Sequence, residues 1–197
     1  MNVIGVTGPS GAGKSELCRL VRKMHIPFID ADEVYHSLLV CDSECTIALA
    51  EEFGEGILDE NGVPDRNKLG AIVFSSKEKL EKLNVIVLHF VIDNIKTTIA
   101  ALECAGVKNV VVDAPTLIES GFDRECDTVI SVLAPKEERL RRILLRDGIT
   151  QENAKKRIDA QKKDEFYIEN SDVIIENSST AEDFLARAEE VLKTILK

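Results

Sequence analysis

The chain has 197 residues, of which 44% are hydrophobic, and its formal net charge at pH 7 is −10. This length suffices for one well-packed domain with an inserted subdomain, but not for two large domains. The acidic balance argues against general nucleic-acid binding, because phosphate backbones are held by clustered lysines and arginines.

The sequence indicates neither export nor membrane insertion. The first residues lack a basic stretch followed by an apolar core, and no apolar run approaches membrane-spanning length. The cysteines are odd in number and lack the paired spacing of a zinc site, so we expect reduced and mostly buried thiols. They are Cys18, Cys41, Cys45, Cys104 and Cys126. We therefore expect a cytoplasmic protein without a membrane partner, and the composition does not indicate its oligomeric state.

Residues 8–15 fit the G-x-x-x-x-G-K-[ST] pattern of a phosphate-binding loop. An apolar strand (residues 2–6) precedes the loop and an amphipathic helix (residues 16–24) follows it, an order that disfavours a glycine-rich turn without a ligand. The glycines allow successive N–H groups to point at anionic oxygens, and the helix adds its positive end. We expect Lys14 to reach the β- and γ-phosphates of a nucleotide and Ser15 to ligate Mg²⁺. The predicted nucleotide-binding residues of the loop are Gly8, Pro9, Ser10, Gly11, Ala12, Gly13, Lys14 and Ser15.

A helical insert is predicted after the second strand. The apolar run at residues 26–29 is followed by Asp30 and Asp32. Acidic residues at the carboxyl end of a strand in an α/β sheet lie where ligands bind. Residues 33–106 then show helical periodicity, interrupted by a glycine-rich loop at residues 54–65. So long a helical stretch between two strands indicates an inserted cap, which in a kinase is a natural place for the acceptor substrate.

Three further strands complete the predicted sheet. The apolar run at residues 110–113 stops at Asp113, and an aspartate at such a strand end commonly orders Mg²⁺ or its water in phosphate-binding folds. Residues 129–133 and 173–175 are the remaining apolar runs, and an amphipathic helix follows the last one. Five strands alternating with helices predict an α/β fold with a parallel sheet flanked on both faces.

Between the fourth and fifth strands, residues 136–161 are strongly basic. Three arginines at helical spacing lie along one stripe: Arg139, Arg142 and Arg146. In a chain this acidic, arginines concentrated opposite a phosphate-binding loop favour contact with transferring phosphate. The alternative, strongest for Arg139, is a solvated face balanced by Glu137 and Glu138. Because Asp147-Gly148 then breaks the helix, the stretch is typical of a movable lid.

Taken together and at their spacing, these segments resemble the dephospho-coenzyme A kinase family over nearly the whole chain. The loop alone would indicate only a superfamily, whereas the ordered set is much more specific. The matching residues are 4–15, 29–32, Arg66 with Leu69 and Phe74, Leu88 with His89, Ala114 and Pro115 with Glu119, Arg142 with 146–148, Gln161, 171–174 and Asn177.

The resemblance implies transfer of the γ-phosphate of ATP to the ribose 3′-hydroxyl of dephospho-coenzyme A, which completes coenzyme A. It implies a single P-loop kinase unit over residues 1–197, with a five-stranded parallel sheet flanked by helices. Within this unit we expect a nucleotide-binding core at residues 1–32 and 107–197, a helical acceptor-binding insert at 33–106 and a lid at 136–161. ATP and Mg²⁺ are the implied cofactors, and dephospho-coenzyme A is the implied partner.

The resemblance also implies roles for particular residues. Lys14, Arg142 and Arg146 would share the charge that develops on the phosphoryl group. Asn177, just past the last strand, matches the family segment beside the adenine. Asp32 matches the position proposed to orient or deprotonate the acceptor hydroxyl, which suits a transfer that needs mainly in-line placement and charge neutralisation. Its carboxylate could instead, or in addition, cap the following helix.

Arg66 and His89 match positions of the helical acceptor-binding domain. For His89, a place in the apolar core is almost equally favoured, because its neighbours are apolar. The family usually has proline after this histidine, where the chain has Phe90, and leucine where the chain has Thr116. These departures concern the acceptor site, whereas Pro9 in the phosphate-binding loop removes one N–H but leaves the glycines intact.

Two other classes of protein fit parts of the pattern. A P-loop kinase acting on a nucleoside or nucleoside monophosphate would share the loop, which Pro9 makes similar to that of uridine kinases. The helical insert after Asp32 and the motifs from Arg142 to Asn177 favour a dephospho-coenzyme A kinase over this alternative. A GTP-dependent switch is expected to carry Asn-Lys-x-Asp, yet Asn67-Lys68 is followed by Leu69-Gly70. We therefore expect a kinase rather than a guanine-nucleotide switch.

Overall fold

The computed structural model of the chain describes residues 1–40 and 43–196. Its strands are β1 (Asn2–Thr7), β2 (Phe28–Asp30), β3 (Asn109–Asp113), β4 (Thr128–Leu133) and β5 (Val173–Glu176). Its α-helices are α1 (Lys14–Lys23), α2 (Ala31–Leu38), α3 (Glu44–Phe53), α4 (Arg66–Val73), α5 (Lys77–Cys104), α6 (Lys136–Asp147), α7 (Gln151–Asp159), α8 (Asp164–Glu169) and α9 (Ala181–Ile195). Short 3₁₀ helices span Glu55–Ile57 and Phe122–Glu125.

The five strands form one parallel sheet in the order β2-β3-β1-β4-β5, which confirms the predicted fold class. The central strand β1 pairs with β3 on one side and with β4 on the other, so that Ile4 lies opposite both Val111 and Thr128. All six residues of β1 are buried. Strands covered on both faces are typically rich in β-branched residues, as β1 and β3 are. The loop after β1 therefore begins at the carboxyl edge of the sheet, where ligands bind in such folds.

Helices α1 and α9 cover the sheet with apolar faces. Leu17 and Val21 of α1 lie one turn apart, as do Phe184 and Ala188 of α9, and all four are buried in the same cluster as the strand residues. Fully burying side chains such as Leu17 or Phe184 contributes about 1.5 to 3 kcal/mol each. This packing fixes α1, and hence the loop that precedes it, against the sheet.

The chain divides into two compact units. The first contains the residues up to Ile29 and those from Gly106 onward, and it holds most of the sheet and helices α1 and α6 to α9. The second, Asp30–Ala105, contains helices α2 to α5, and it differs by at most three residues at either end from the predicted insert at 33–106. The assignment of this insert to the acceptor stays a prediction.

The second unit is organised around α5, a helix of 28 residues. Its buried residues recur every fourth position at Leu83, Val87, Val91 and Ile95, and α2, α3 and α4 all pack against it. Ordinary amphipathic packing therefore places α5 at the centre of this unit.

The expectation that no apolar run approaches membrane-spanning length is wrong for α5. Within the described residues this helix is long and apolar enough to cross a bilayer by length and composition, although most of its apolar stretch is not buried in the protein. Length and composition alone do not distinguish a spanning helix from the central helix of a bundle, so they are weak evidence for a membrane segment.

The cysteines differ in exposure. Cys18 and Cys45 are buried, Cys126 is partly buried and Cys104 is exposed, so the expectation of mostly buried thiols is wrong for Cys104. Among the described residues, no cysteine forms a disulfide. Cys41 lies outside the described residues.

We predict that Cys126 resists alkylation in the folded protein. Burial, reinforced by the neighbouring carboxylates of Asp123 and Asp127, raises the pKa of the Cys126 thiol to about 12, so the reactive thiolate is scarce at pH 8. Iodoacetamide at pH 8, followed by peptide mass spectrometry, should modify the exposed Cys104 and leave Cys126 intact. The denatured protein is the control and should be modified at both. Equal rates at the two positions in the folded protein would contradict the prediction.

Candidate nucleotide-binding site

The loop between β1 and α1 is held in a shape that requires glycine at several positions, and Gly11 and Gly13 lie where the loop meets α6 and Asn177. Gly11 and Gly13 have φ angles of 81° and 108°, in the left-handed region that side chains disfavour. A Cβ atom at Gly11 would lie 2.7 Å from the backbone oxygen of Arg139, and one at Gly13 would overlap the side-chain nitrogen of Asn177. The glycines therefore provide both the backbone angles and the close approach to α6 and to the end of β5.

The carbonyl oxygens of Gly11 and Ala12 accept hydrogen bonds on the side of the loop that faces α6 and Asn177. Arg142 Nη1 donates to the oxygens of Gly11 and Ala12 at 3.3 and 3.1 Å, and Asn177 Nδ2 donates to the oxygen of Ala12 at 2.9 Å. A trans peptide directs its N–H opposite to its carbonyl. The N–H of Gly13 therefore points away from Arg142 and Asn177, and α1 begins at the next residue with the N–H groups of its first turn. Together, the N–H of Gly13 and the N–H groups at the start of α1 can bind an anion.

A lysine, an aspartate and a cysteine meet at the carboxyl edge of the sheet. Asp113 ends β3 and is only 7% exposed. Its Oδ1 accepts a hydrogen bond from Lys14 Nζ, and its Oδ2 accepts one from Cys18 Sγ at 3.1 Å. Lys14 and Cys18 are four residues apart and therefore lie on the same face of α1.

Arg139 is buried, so the interpretation of this residue as part of a solvated face is wrong. Its guanidinium donates to Ser10 O at 3.2 Å, to Gln161 Oε1 at 2.8 Å and to Asp164 Oδ1 at 3.4 Å. Gln161 Oε1 also accepts from Ser10 N at 3.2 Å. Burial lowers the pKa of Arg139, and Asp164 opposes this effect. The tip of the loop is thereby tied to α6 and to the segment between α7 and α8.

Arg146 is the most exposed of the three arginines. Its Nη2 lies 3.4 Å from Ser10 Oγ, and its guanidinium forms a two-point contact with Asp147 at 2.6 and 3.0 Å. The hydrogen bond with Arg146 lowers the pKa of Asp147, and the same contact raises the pKa of Arg146. Arg157 of α7 also bonds Asp147. All three arginines of the predicted stripe thus contact the loop.

Asn177 contacts the loop directly. Besides its bond to Ala12, its Oδ1 accepts from Arg142 Nη2 at 3.2 Å, and its backbone N–H donates to Leu133 O at 2.7 Å. The side chain is therefore part of the support of the loop, and the expected position beside an adenine stays a prediction. Neither this contact nor the one from Gln161 to Ser10 follows from local sequence.

The second unit carries the residues expected to contact the acceptor. Asp32 is exposed in the first turn of α2, and the cap of this helix is Asp30, which accepts from the N–H groups of Asp32 and Glu33. The alternative role of Asp32 as the helix cap is therefore wrong. Arg66 Nη2 lies 3.3 Å from His36 Nδ1. Sequence reasoning missed His36, because it lies thirty residues from Arg66.

His89 does not pack in the apolar core. It is exposed on α5, with Nε2 3.4 Å from Asp93 Oδ2 one turn later. The interpretation of His89 as a core residue is therefore wrong, and its expected contact with the acceptor stays a prediction.

The residues at the loop fit a magnesium ion that is held mainly by phosphate. Ser15 is exposed at the second position of α1, and Asp113 offers a carboxylate at the same edge of the sheet. Among the described residues no group of three acidic, histidine or cysteine side chains could hold a metal ion alone. Mg²⁺ typically uses one or two protein oxygens together with phosphates and water. The donor set is therefore of the type that Mg²⁺ with a nucleotide requires.

A parallel sheet with a glycine-rich loop between its central strand and a helix defines a P-loop nucleotide-binding protein. The family model for dephospho-CoA kinase matches residues 2–183. The dephospho-CoA kinases of Geobacillus kaustophilus and Fusobacterium nucleatum are 37% and 38% identical to the chain, over 96% and 98% of its length and 94% and 98% of theirs. The chain belongs to the dephospho-CoA kinase family. It is accordingly a kinase, a phosphotransferase that uses ATP.

Solved structures agree with this assignment. The dephospho-CoA kinase from Campylobacter jejuni superposes with a TM-score of 0.76 and 29% identity, covering 99% of this chain and 97% of that one. A Thermus thermophilus protein superposes with a TM-score of 0.81 and 28% identity, covering 100% and 98%. A shikimate kinase from Acinetobacter baumannii, with a TM-score of 0.55 and 19% identity over 99% and 93% of the two chains, shares the fold.

We predict that Gly11→Ala weakens ATP binding by at least about tenfold, because the new Cβ meets the backbone of α6 and the loop must shift. Gly121→Ala is the matched control. Its φ is 77°, and no atom lies within 4 Å of the added Cβ, so it should lose only about 1 to 2 kcal/mol of stability through backbone strain. Calorimetric ATP affinity and thermal unfolding measure the two effects. Equal ATP affinity in the two variants would contradict the account of the loop.

Proposed function

We propose that the chain transfers the γ-phosphoryl group of ATP to the ribose 3′-hydroxyl of dephospho-coenzyme A, giving coenzyme A and ADP in the cytoplasm. The observation that carries the proposal is the glycine-rich loop after β1, whose carbonyl oxygens are bonded by Arg142 so that the Gly13 N–H is directed to the other side, in a chain of the dephospho-CoA kinase family. Nothing in the family or the similar structures favours a nucleoside or nucleoside monophosphate as acceptor.

The loop residues 8–15 bind the phosphates of ATP. The N–H groups of Gly13, Lys14 and Ser15 donate to the phosphate oxygens, and the Lys14 ammonium turns from Asp113 to the β- and γ-phosphates. Arg142 and Arg146 stabilise the charge on the transferring group, since their forked donors suit its equatorial oxygens. Arg139, which is buried and bonded to Ser10 and Gln161, positions the loop.

Ser15 and Asp113 hold Mg²⁺ with the nucleotide. Bound there, the ion supplies neutralisation of the charge on the β- and γ-phosphate oxygens. The buried carboxylate of Asp113 has one oxygen on Cys18 and the other on the Lys14 ammonium, and this contact with a cation supports a metal-binding role for the carboxylate.

The acceptor binds to the second unit. The Asp32 carboxylate orients the 3′-hydroxyl and accepts its proton late in the transfer, as the new oxygen–phosphorus bond forms and the bond to the β-phosphate oxygen breaks. Asn177 lies beside the adenine of ATP. Arg66 carries an exposed guanidinium that suits an anionic part of the acceptor, and His89 contacts the acceptor from α5.

We predict that Lys14→Ala and Asp32→Asn separate nucleotide binding from acceptor activation. Both should lower kcat by at least about a hundredfold, because each removes a group used in the transfer. Only Lys14→Ala should weaken ATP binding strongly, since Asp32 does not contact the nucleotide in the proposed complex. Steady-state rates and calorimetric ATP titrations provide the measurements. Equal loss of ATP affinity in both variants would refute the role given to Asp32.

The acceptor is tested by measuring ADP release with Mg²⁺ and ATP against dephospho-coenzyme A, AMP, uridine and cytidine, with a reaction lacking acceptor as the control. We expect release with dephospho-coenzyme A alone, which would also show that Phe90 and Thr116 are tolerated. Release with a nucleoside or AMP instead, or no release above the control with any acceptor, would contradict the proposed function.

A further inference from the structure

The thiol of Cys18 is bonded to the carboxylate at the centre of the site. Cys18 is 7% exposed and lies one helical turn after Lys14. Its Sγ donates to Asp113 Oδ2 at 3.1 Å, while Lys14 donates to Oδ1 of the same carboxylate. The two oxygens of one buried carboxylate therefore have separate donors, both supplied by one face of α1.

This arrangement fixes the rotation of the carboxylate. The last torsion of an aspartate is broad and roughly two-fold, so the backbone of β3 does not by itself determine where each oxygen points. A donor on Oδ2 selects one orientation, and it leaves Oδ1 on the side of the Lys14 ammonium. The thiol is a weak and neutral donor, so it orients the carboxylate without adding the charge that a second lysine would bring.

Packing alone predicts a different behaviour for this residue. Cys18 belongs to the apolar cluster formed by α1, α9 and the sheet, where a buried cysteine can act as a small hydrophobic side chain. If that were its whole role, a valine at position 18 would serve as well as the thiol. If the hydrogen bond matters, a serine would serve, because a hydroxyl also donates to a carboxylate.

We propose that Cys18 is a positioning residue whose S–H orients Asp113 toward Mg²⁺. The inference rests on the proposed function only in assigning Asp113 to the magnesium ion that accompanies the nucleotide. In this proposal Cys18 affects the metal through the Asp113 carboxylate rather than by contact with the nucleotide or the acceptor.

The test is the gain in ADP affinity that Mg²⁺ produces, measured by calorimetry on the full chain with no acceptor present. Cys18→Val and Cys18→Ala should each reduce this gain by about three- to tenfold, because Asp113 loses the donor that orients it. Cys18→Ser should keep the gain within about twofold of the wild type. ADP affinity without Mg²⁺ should change little in the three variants.

Cys126→Ala is the control for losing a thiol in the same unit. This thiol donates to a backbone oxygen, that of Phe122 at 3.5 Å, and we expect the gain to be unchanged. In an Asp113→Ala background, Cys18→Val should cause no further loss, because the coupling acts through that carboxylate.

A wild-type response to Mg²⁺ in Cys18→Val would overturn the inference and leave the proposed function standing, as would an equal loss in Cys18→Ser and Cys18→Val. A further loss from Cys18→Val in the Asp113→Ala background would do the same. If wild-type ADP affinity does not respond to Mg²⁺, the assignment of Asp113 to the metal fails, and this inference fails with it. The acceptor has no part in the titration, so these results do not depend on its identity.

Discussion

The absence of side chains at Gly11 and Gly13 is the constraint on which the nucleotide-binding site depends. It allows the backbone of α6 and the side chain of Asn177 to approach the loop directly. Arg142 and Asn177 then bond the carbonyl oxygens of the loop, so the N–H of Gly13 is directed to the other side. A larger residue would separate these elements, and the orientation of the loop would lose its support.

Electrostatics explains why the basic residues are concentrated here. A chain with a net charge of −10 does not attract a triphosphate through its overall field, so the cations must be local. Lys14 and the three arginines of α6 provide them, yet each has an oxygen partner within the protein. These partners hold the long side chains near the loop, which reduces the reorganisation that phosphate binding requires.

Local pattern predicted the sheet and the loop, but not the contacts that support them. The strands other than β2 are rich in β-branched residues and the loop is a fixed spacing of glycines and Lys14, so both are visible in the sequence. Asn177 bonds Ala12 across 165 residues, and the buried Arg139 bonds Gln161 and Asp164, which lie more than twenty residues away in sequence. Such pairings arise from tertiary packing. The apolar neighbours of His89 likewise favoured a place in the core, whereas the residue lies on the exposed side of α5.

A crystal structure with Mg²⁺ and ADP would test the supported loop most directly. We predict that the β-phosphate lies over residues 8–15, that Gly11 and Gly13 keep their positive φ angles, and that the bonds from Arg142 and Asn177 to the loop carbonyls remain. A β-phosphate bound elsewhere, or a loop whose peptide groups have reversed to bind it, would contradict the claim that the loop is preorganised for phosphate binding.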